Sequence, residues 1–284
     1  MLVVIFNPWF NRHMNYEDAA ELNRNKTIAR NHIFCNWKAE MEKQPNKPVI
    51  LTDLPANRFL LVSQMLAYLT KYRKDQQHTF FLFEANGTKY NSRCYNDHAF
   101  RPFKIEKEGW LIDFPELREE LGDEYFEANQ FAKVHTGKRK NVTCFYIRGF
   151  MTVPVKTEGR LMCQWLDYCG GPVKANTKQT LEVAKRVKDS LTYVTYLAKY
   201  RRGGPNESPW NYHWLLRRFG LGQAHNNRSA ITKFIMKQIK DCNIELVTSH
   251  AYLGGSAGIT HMVLLGLRSH GEINTCEHLE RSVA

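Results

Sequence analysis

Leu191-Thr192-Tyr193-Val194-Thr195-Tyr196-Leu197 lies inside the stretch Lys178–Arg268, and how that stretch is read decides the fold. Ala184, Val187, Leu191, Val194 and Ala198 recur at steps of three and four, which puts them on one face of a helix over 178–200. Arg201-Arg202-Gly203-Gly204-Pro205 ends it, since Pro cannot continue the helical ladder. Ser208 and Pro209 supply a cap and a first turn for a second helix over 209–219, closed by Gly220. Asn227 caps a third over Arg228–Cys242, where Ile231, Ile235, Ile239 and Cys242 share one face. Ile244–Leu253 and Ile259–Arg268 read as strands around the turn Gly254–Gly258. Three helices followed by strand, wing and strand predict a winged helix-turn-helix, which places one helix in the major groove of DNA.

Charge supports that reading. Residues 185–240 hold twelve Lys or Arg against Asp189 and Glu207, a difference of +10 beside +12 for the whole chain. The expected DNA contacts follow from the third helix. Arg228, Ser229, Thr232, Lys233 and Lys237 are placed at the major groove, and Arg228 near the helix start suits a bidentate guanine contact. Lys240, Arg217, Arg218, Arg201 and Arg202 suit phosphates. The plainer alternative is a small helical core with a hairpin whose lysine-rich face is only solvated. The wing tip has no charge, and His250 and His261 near it are as readily packing residues.

At 284 residues, with 43% hydrophobic and 24% charged content, the chain has the composition of a globular protein. No run approaches ~18 apolar residues, so no membrane span is expected. Met1–Phe6 is apolar but too short for a secretion signal. Seven cysteines, an odd number with no CxxC, read as free thiols in a reducing cytoplasm. The eleven histidines are scattered, so neither a metal nor a cofactor is expected.

The remaining chain divides at breaks in pattern. Residues 1–47 read as a helical N-terminal arm, with a helix inside Glu17–Glu42, closed by Gln44–Pro48. Residues 48–150 read as an α+β or diverged winged-helix domain. Within it come a short strand Val49–Leu51, a helix ending at Tyr72, a β-rich run over His78–Glu84 and a turn at Asn86-Gly87. Trp110–Phe114 reads as a strand, Pro115–Phe131 as a helix, and Gly137–Lys140 as the basic tip of a hairpin. Nine acids crowd residues 106–127 against Lys107 and Arg118, in no calcium-loop spacing, and read as a solvated face. In the connector 151–177, Thr152–Val155 reads as a strand and Leu161–Tyr168 as a short helix. Residues 178–268 form the winged-helix domain, and 269–284 a tail. The expected fold class is α+β, with tandem winged-helix-like domains.

The residues Leu191–Leu197, Trp214-Leu215-Leu216-Arg217-Arg218-Phe219-Gly220-Leu221 and Ser229–Cys242, in that order, resemble the C-terminal winged-helix domain of iteron-binding plasmid replication initiators. The resemblance covers about a third of the chain. It implies two winged-helix domains in tandem, binding to repeated double-stranded DNA sites at an origin, recruitment of host replication proteins, and homodimers formed through the N-terminal domain. Two other readings compete. One is a winged-helix transcription regulator on a palindromic site. The other is a nucleic-acid enzyme such as a nuclease. Against catalysis, no His-x-His or GxxxxGK[ST] motif occurs, and His213 and Arg217 are four apart, one too many for the His-x-x-Arg of a tyrosine recombinase. Glu84 and Lys89 near a strand end do not match a Glu-x-Lys nuclease pair.

Overall fold

The computed structural model describes residues 23–54, 59–95, 103–152, 154–167, 180, 190–199, 232–233, 235–237, 239, 243–254 and 260–269. Their elements run α1 (Arg24–Lys43), β1 (Val49–Asp53), α2 (Leu60–Tyr72), β2 (His78–Phe83), α3 (Gly87–Tyr95), β3 (Lys104–Trp110), α4 (Glu116–Leu121) and α5 (Asp123–Ala128). They continue with β4 (Lys133–Arg139), β5 (Val142–Ile147), β6 (Leu161–Asp167), β7 (Leu191–Lys199), β8 (Ile244–Gly254) and β9 (Thr260–Ser269). All nine strands join one sheet, in the order β3-β4-β5-β2-β1-β6-β7-β9-β8.

This sheet overturns the tandem winged-helix expectation. Its centre, β5-β2-β1-β6-β7, is parallel throughout. Antiparallel strands flank it, β4 and β3 on one side and β9 on the other. The class is therefore α/β at the core, with antiparallel additions. The replication-initiator role rested on tandem winged helices and loses that basis.

The decisive misreading is β7. Residues 191–199 form a strand between β6 and β9, not the end of a helix from 178. A strand buried on both faces is apolar at every position, so its period of two is erased and a helical period can be threaded through it. The β-branched and aromatic residues of Leu191–Leu197 are the signal that favours a strand. β6 fails in the same way, since Leu161–Leu166 is buried at every position and reads as a helix until its neighbours are known. The hairpin of β8 and β9 forms where the sequence places it, but it pairs along β7 as the margin of the sheet and is no wing.

Smaller corrections have local causes. Asn86-Gly87 starts α3 in place of a hairpin turn, because the Asn86 side chain accepts from Lys89 N and caps the helix. The predicted strand 110–114 is a strand end followed by a 3₁₀ turn, Leu111–Asp113, with Asp113 Oδ2 accepting from Trp110 N at 2.7 Å. The predicted helix 115–131 is two short helices broken at Gly122, whose φ of 86° stops the first. Residues 152 and 154–155 are not strand. The hairpin around Gly137–Lys140 is present as β4 and β5, turning at Lys140.

Two apolar layers cover the sheet. On one face α1 packs Ala29, Ile33, Trp37 and Met41, and α2 packs Leu61, Val62, Met65 and Leu69, against Leu51, Phe80, Leu82, Cys163 and Tyr193. On the other, Leu117, Leu121 and Phe126 of α4–α5, with Ile235 and Ile239, cover Ile50, Phe81, Met162, Leu166 and Val194. Alternate residues of each central strand thus serve opposite cores. Gly266 of β9 is required by this packing: a Cβ there would lie 2.9 Å from the Tyr193 ring and 2.8 Å from Thr248. Among the described residues, no helix is long and apolar enough to cross a membrane.

Candidate functional site

An open parallel sheet has a crevice beyond the carboxyl ends of its strands, at the point where the strand order reverses. Here β2 and β5 lie to one side of β1, and β6 and β7 to the other, so the reversal falls between β1 and β6. Three of these strands, β1, β2 and β6, end on an acid or are followed by one. Asp53 ends β1 and is buried. Glu84 follows β2 and is half-buried. Asp167 ends β6. Asp53 stands opposite Trp165 in the register of β1 with β6, so Asp53, Trp165 and Asp167 project on the face that carries α1.

Helix α1 brings a cation to this edge. Asn23 caps it, its side chain accepting from the amides of Asn25 and Lys26. Lys26, in the first turn, donates to Asp167 Oδ2 at 2.6 Å, and the two side chains are 17% and 15% exposed. The Lys26 ammonium also lies 5.6 Å from the Trp165 ring centroid. Trp165 is fixed in turn, its indole N–H donating to Thr195 Oγ1 on β7 at 2.9 Å. The carboxylate of Asp167 therefore meets both a lysine and the positive end of a 20-residue helix.

Beside β2 the backbone comes close to a second cation. Glu84 Oε1 accepts from Asn86 N at 2.8 Å, and Glu84 O accepts from Gly149 N just beyond β5. A Cβ on Gly87 would fall 2.6 Å from the Arg148 guanidinium, so only glycine lets Arg148 lie over the start of α3.

Ten residues are expected from the sequence to contact DNA. Arg201, Arg202, Arg217, Arg218, Arg228, Ser229 and Lys240, and the predicted helix 209–219, lie outside the described residues. Residues 232, 233, 235–237 and 239 are helical, and Ile235 and Ile239 are buried as their spacing predicts. Lys233 and Lys237 are exposed. Thr232 is half-buried and hydrogen-bonded to Ser249 of β8 at 2.8 Å.

Lys26, Asp53 and Asp167 escape a linear reading, because Asp53 and Asp167 become neighbours only when β6 is known to pair with β1. The available signal was an acid closing a buried apolar run, twice: Val49–Asp53 and Leu161–Asp167. Glu84 stands out in the sequence as an acid at a strand end, although its spacing to Lys89 matches no nuclease pair.

No protein-family model matches the chain, and no curated protein does. A solved structure described as "Structure of the 16S rRNA methylase ArmA" matches over 92% of this chain and 94% of that chain, at 7% sequence identity and a TM-score of 0.31. A likeness that slight carries no argument, and the reading below rests on the chain's own strand order and strand-end residues.

Proposed function

We propose that the chain is a methyltransferase that binds a cationic nucleoside cofactor of the S-adenosylmethionine type at the β1–β6 edge and modifies nucleic acid. The observation that carries this is the set of carboxylates, Asp53, Glu84 and Asp167, at the ends of three adjacent parallel strands. The sequence after β1, Asp53-Leu54-Pro55-Ala56-Asn57-Arg58-Phe59, contains no glycine, whereas the pyrophosphate fingerprint of doubly wound sheets is glycine-rich. Carboxylates beside a polyphosphate repel it, which disfavours a dinucleotide or a nucleoside triphosphate. The same carboxylates suit a diol and a positive charge. An acid after the second strand is where a ribose hydroxyl is held in doubly wound sheets, and Glu84 occupies that position. Asp53 suits a cationic centre beside it.

The strand order agrees. An antiparallel strand set between the fifth parallel strand and the outermost one is a methyltransferase-like arrangement, used here as an analogy of fold. When bound, the cofactor supplies an activated methyl group. The chain's own contribution is a lysine and a carboxylate held 2.6 Å apart at the edge where an acceptor would lie. Asp167 fixes Lys26, and the pair can orient the acceptor and exchange a proton with it. Nucleic acid as the acceptor is supported by the +10 excess over residues 185–240.

The test is transfer of a labelled methyl group from S-adenosylmethionine to RNA or DNA by the full chain. Transfer that falls at least about a hundredfold in Lys26→Met and Asp167→Asn, with cofactor binding retained, is the expected result. Absence of both binding and transfer with every nucleic acid tried would overturn the proposal.

A further inference from the structure

The β4–β5 hairpin turns at Lys140 and Asn141, since Arg139 and Val142 are its last pair. Its tip is anchored at the amino edge of the sheet. The Asn141 amide donates to Arg73 O at 2.8 Å and to Gln76 O at 2.7 Å, and His78 N donates to Asn141 O. The turn is thereby tied to the loop after α2, which carries Lys74 to the same corner. Lys138 stands opposite Lys104 in the register of β4 with β3. These four lysines are exposed, and none makes an ion pair with a described residue. Two local costs are accepted here. Like charges directly opposite on neighbouring strands repel. Lys140 has a φ of 54°, a left-handed turn position that Gly or Asn fills more easily. Costs of this kind, for side chains that bury nothing, point to a use outside the fold.

The corner is basic by a full count of its described charges. With Lys71 and Arg139 the exposed cations number six, and Asp75 and Glu106 oppose them, so six less two leaves +4. Other acids are occupied elsewhere. Glu40 and Glu42, late in α1, pair with Lys43, Arg268 and Lys38. Glu108 pairs with Lys133, and Asp113 bonds Trp110 N, both toward the far end of β3. Asp123 and Glu127 pair with Arg118. Glu119 and Glu120 pair with Lys156 and with Arg160 just before β6. Strand β6 is three strands from β5, about 14 Å at ~4.8 Å per strand.

Tyr72 adds a ring to this corner. It is 63% exposed, and the Lys71 ammonium lies 4.8 Å from its centroid. Lysines around an exposed aromatic ring match a single strand of nucleic acid, whose phosphates take the cations and whose bases stack. We infer that this corner is a binding site for single-stranded nucleic acid, with Lys74, Lys104, Lys138 and Lys140 on phosphates and an unpaired base on Tyr72. An anionic lipid surface would meet the same lysines, but it has no use for a stacking ring. Strand β5 has six residues, so the corner lies about 20 Å from the carboxyl edge at ~3.3 Å per residue. A strand reaching both places spans about six nucleotides at ~3.4 Å each. That span rests on the methyltransferase reading; binding at the corner does not.

Fluorescence anisotropy of a labelled single-stranded RNA of about twenty nucleotides with the full chain tests this, over a salt series. Lys138→Glu with Lys140→Glu should weaken binding at least about tenfold. Lys138→Gln with Lys140→Gln should lower the slope of log affinity against log salt by about 1.4, roughly 0.7 for each lost phosphate contact. Tyr72→Ala should weaken binding about tenfold and leave that slope unchanged. Lys156→Glu, an exposed reversal beside β6, should change affinity less than about twofold. All of these side chains are exposed, so circular dichroism should stay unaltered. No binding, a slope unmoved by the lysine pair, an unaffected Tyr72→Ala, or an equal loss in Lys156→Glu would each overturn the inference. So would loss of binding to phosphatidylserine vesicles in the lysine variants with RNA affinity intact. None of these readouts uses methyl transfer, so failure here and failure of the methyltransferase reading are distinguishable.

Discussion

Arg73 and Lys26 are both cations held at an edge of the same sheet, and their surroundings differ in kind. Arg73 follows α2 at the amino edge and is 8% exposed. Its guanidinium donates to the carbonyls of Met41, Gln44, Pro45 and Lys47, closing the last turn of α1 and the loop after it. His78 Nδ1 accepts from Val49 N, its Nε2 donates to Arg73 O, and the Asn141 amide donates to Arg73 O and Gln76 O. The Trp37 indole donates to Leu191 O along the same edge. Here polar chemistry is spent on main-chain carbonyls that the fold must satisfy. Lys26, at the carboxyl edge, is set against a carboxylate at the end of a strand. Buried polar groups alone therefore do not mark a functional site; the partner and the edge do.

That contrast can be broken by mutation, and the amino edge should give the largest effects. Trp37→Ala removes a fully buried ring and its hydrogen bond, and should cost about 3–5 kcal/mol in urea unfolding. Arg73→Met strands four carbonyls and should cost about 3 kcal/mol, with cofactor affinity at pH 7.5 unchanged within about twofold. A loss under about 1 kcal/mol in either variant would dissolve the distinction between the edges. At the carboxyl edge the order should reverse. Glu84→Gln should leave stability nearly unaltered and weaken nucleoside binding about tenfold, equivalent to about 1.4 kcal/mol, in equilibrium dialysis.

The smallest effect should come from pH. Burial lowers the pKa of His78 and of His135 from the ordinary value of 6.5. The unfolded chain then binds protons that the folded chain refuses, so stability is full above about pH 6.5 and is lost as pH falls through the window below it. Each histidine contributes at most about 1.4 kcal/mol per pH unit. Unfolding series at pH 7.5 and 5.5 should show the loss, and His78→Gln should reduce it. A stability that rises on acidification would contradict the burial account.

Helices α1 and α2 and both hairpins are legible in the sequence, close to where period and turn residues put them. Strands β1 and β2 are legible too, although both lie buried at the centre of the sheet, because the breaks at Gln44–Pro48 and Asn86-Gly87 set them off. Strands β6 and β7 are not, since they are buried on both sides and only pairing reveals their period. The site was hidden for the same reason. Asp53 and Asp167 have nothing in common along the chain and become neighbours only through β1 and β6.

Isothermal titration of S-adenosylmethionine into the full chain and its Glu84→Gln variant tests the central claim most directly. Saturable binding of one molecule per chain, weakened about tenfold in the variant, is the result predicted. No binding up to about 1 mM, or binding that Glu84→Gln leaves untouched, would contradict a nucleoside site at the carboxyl edge of this sheet.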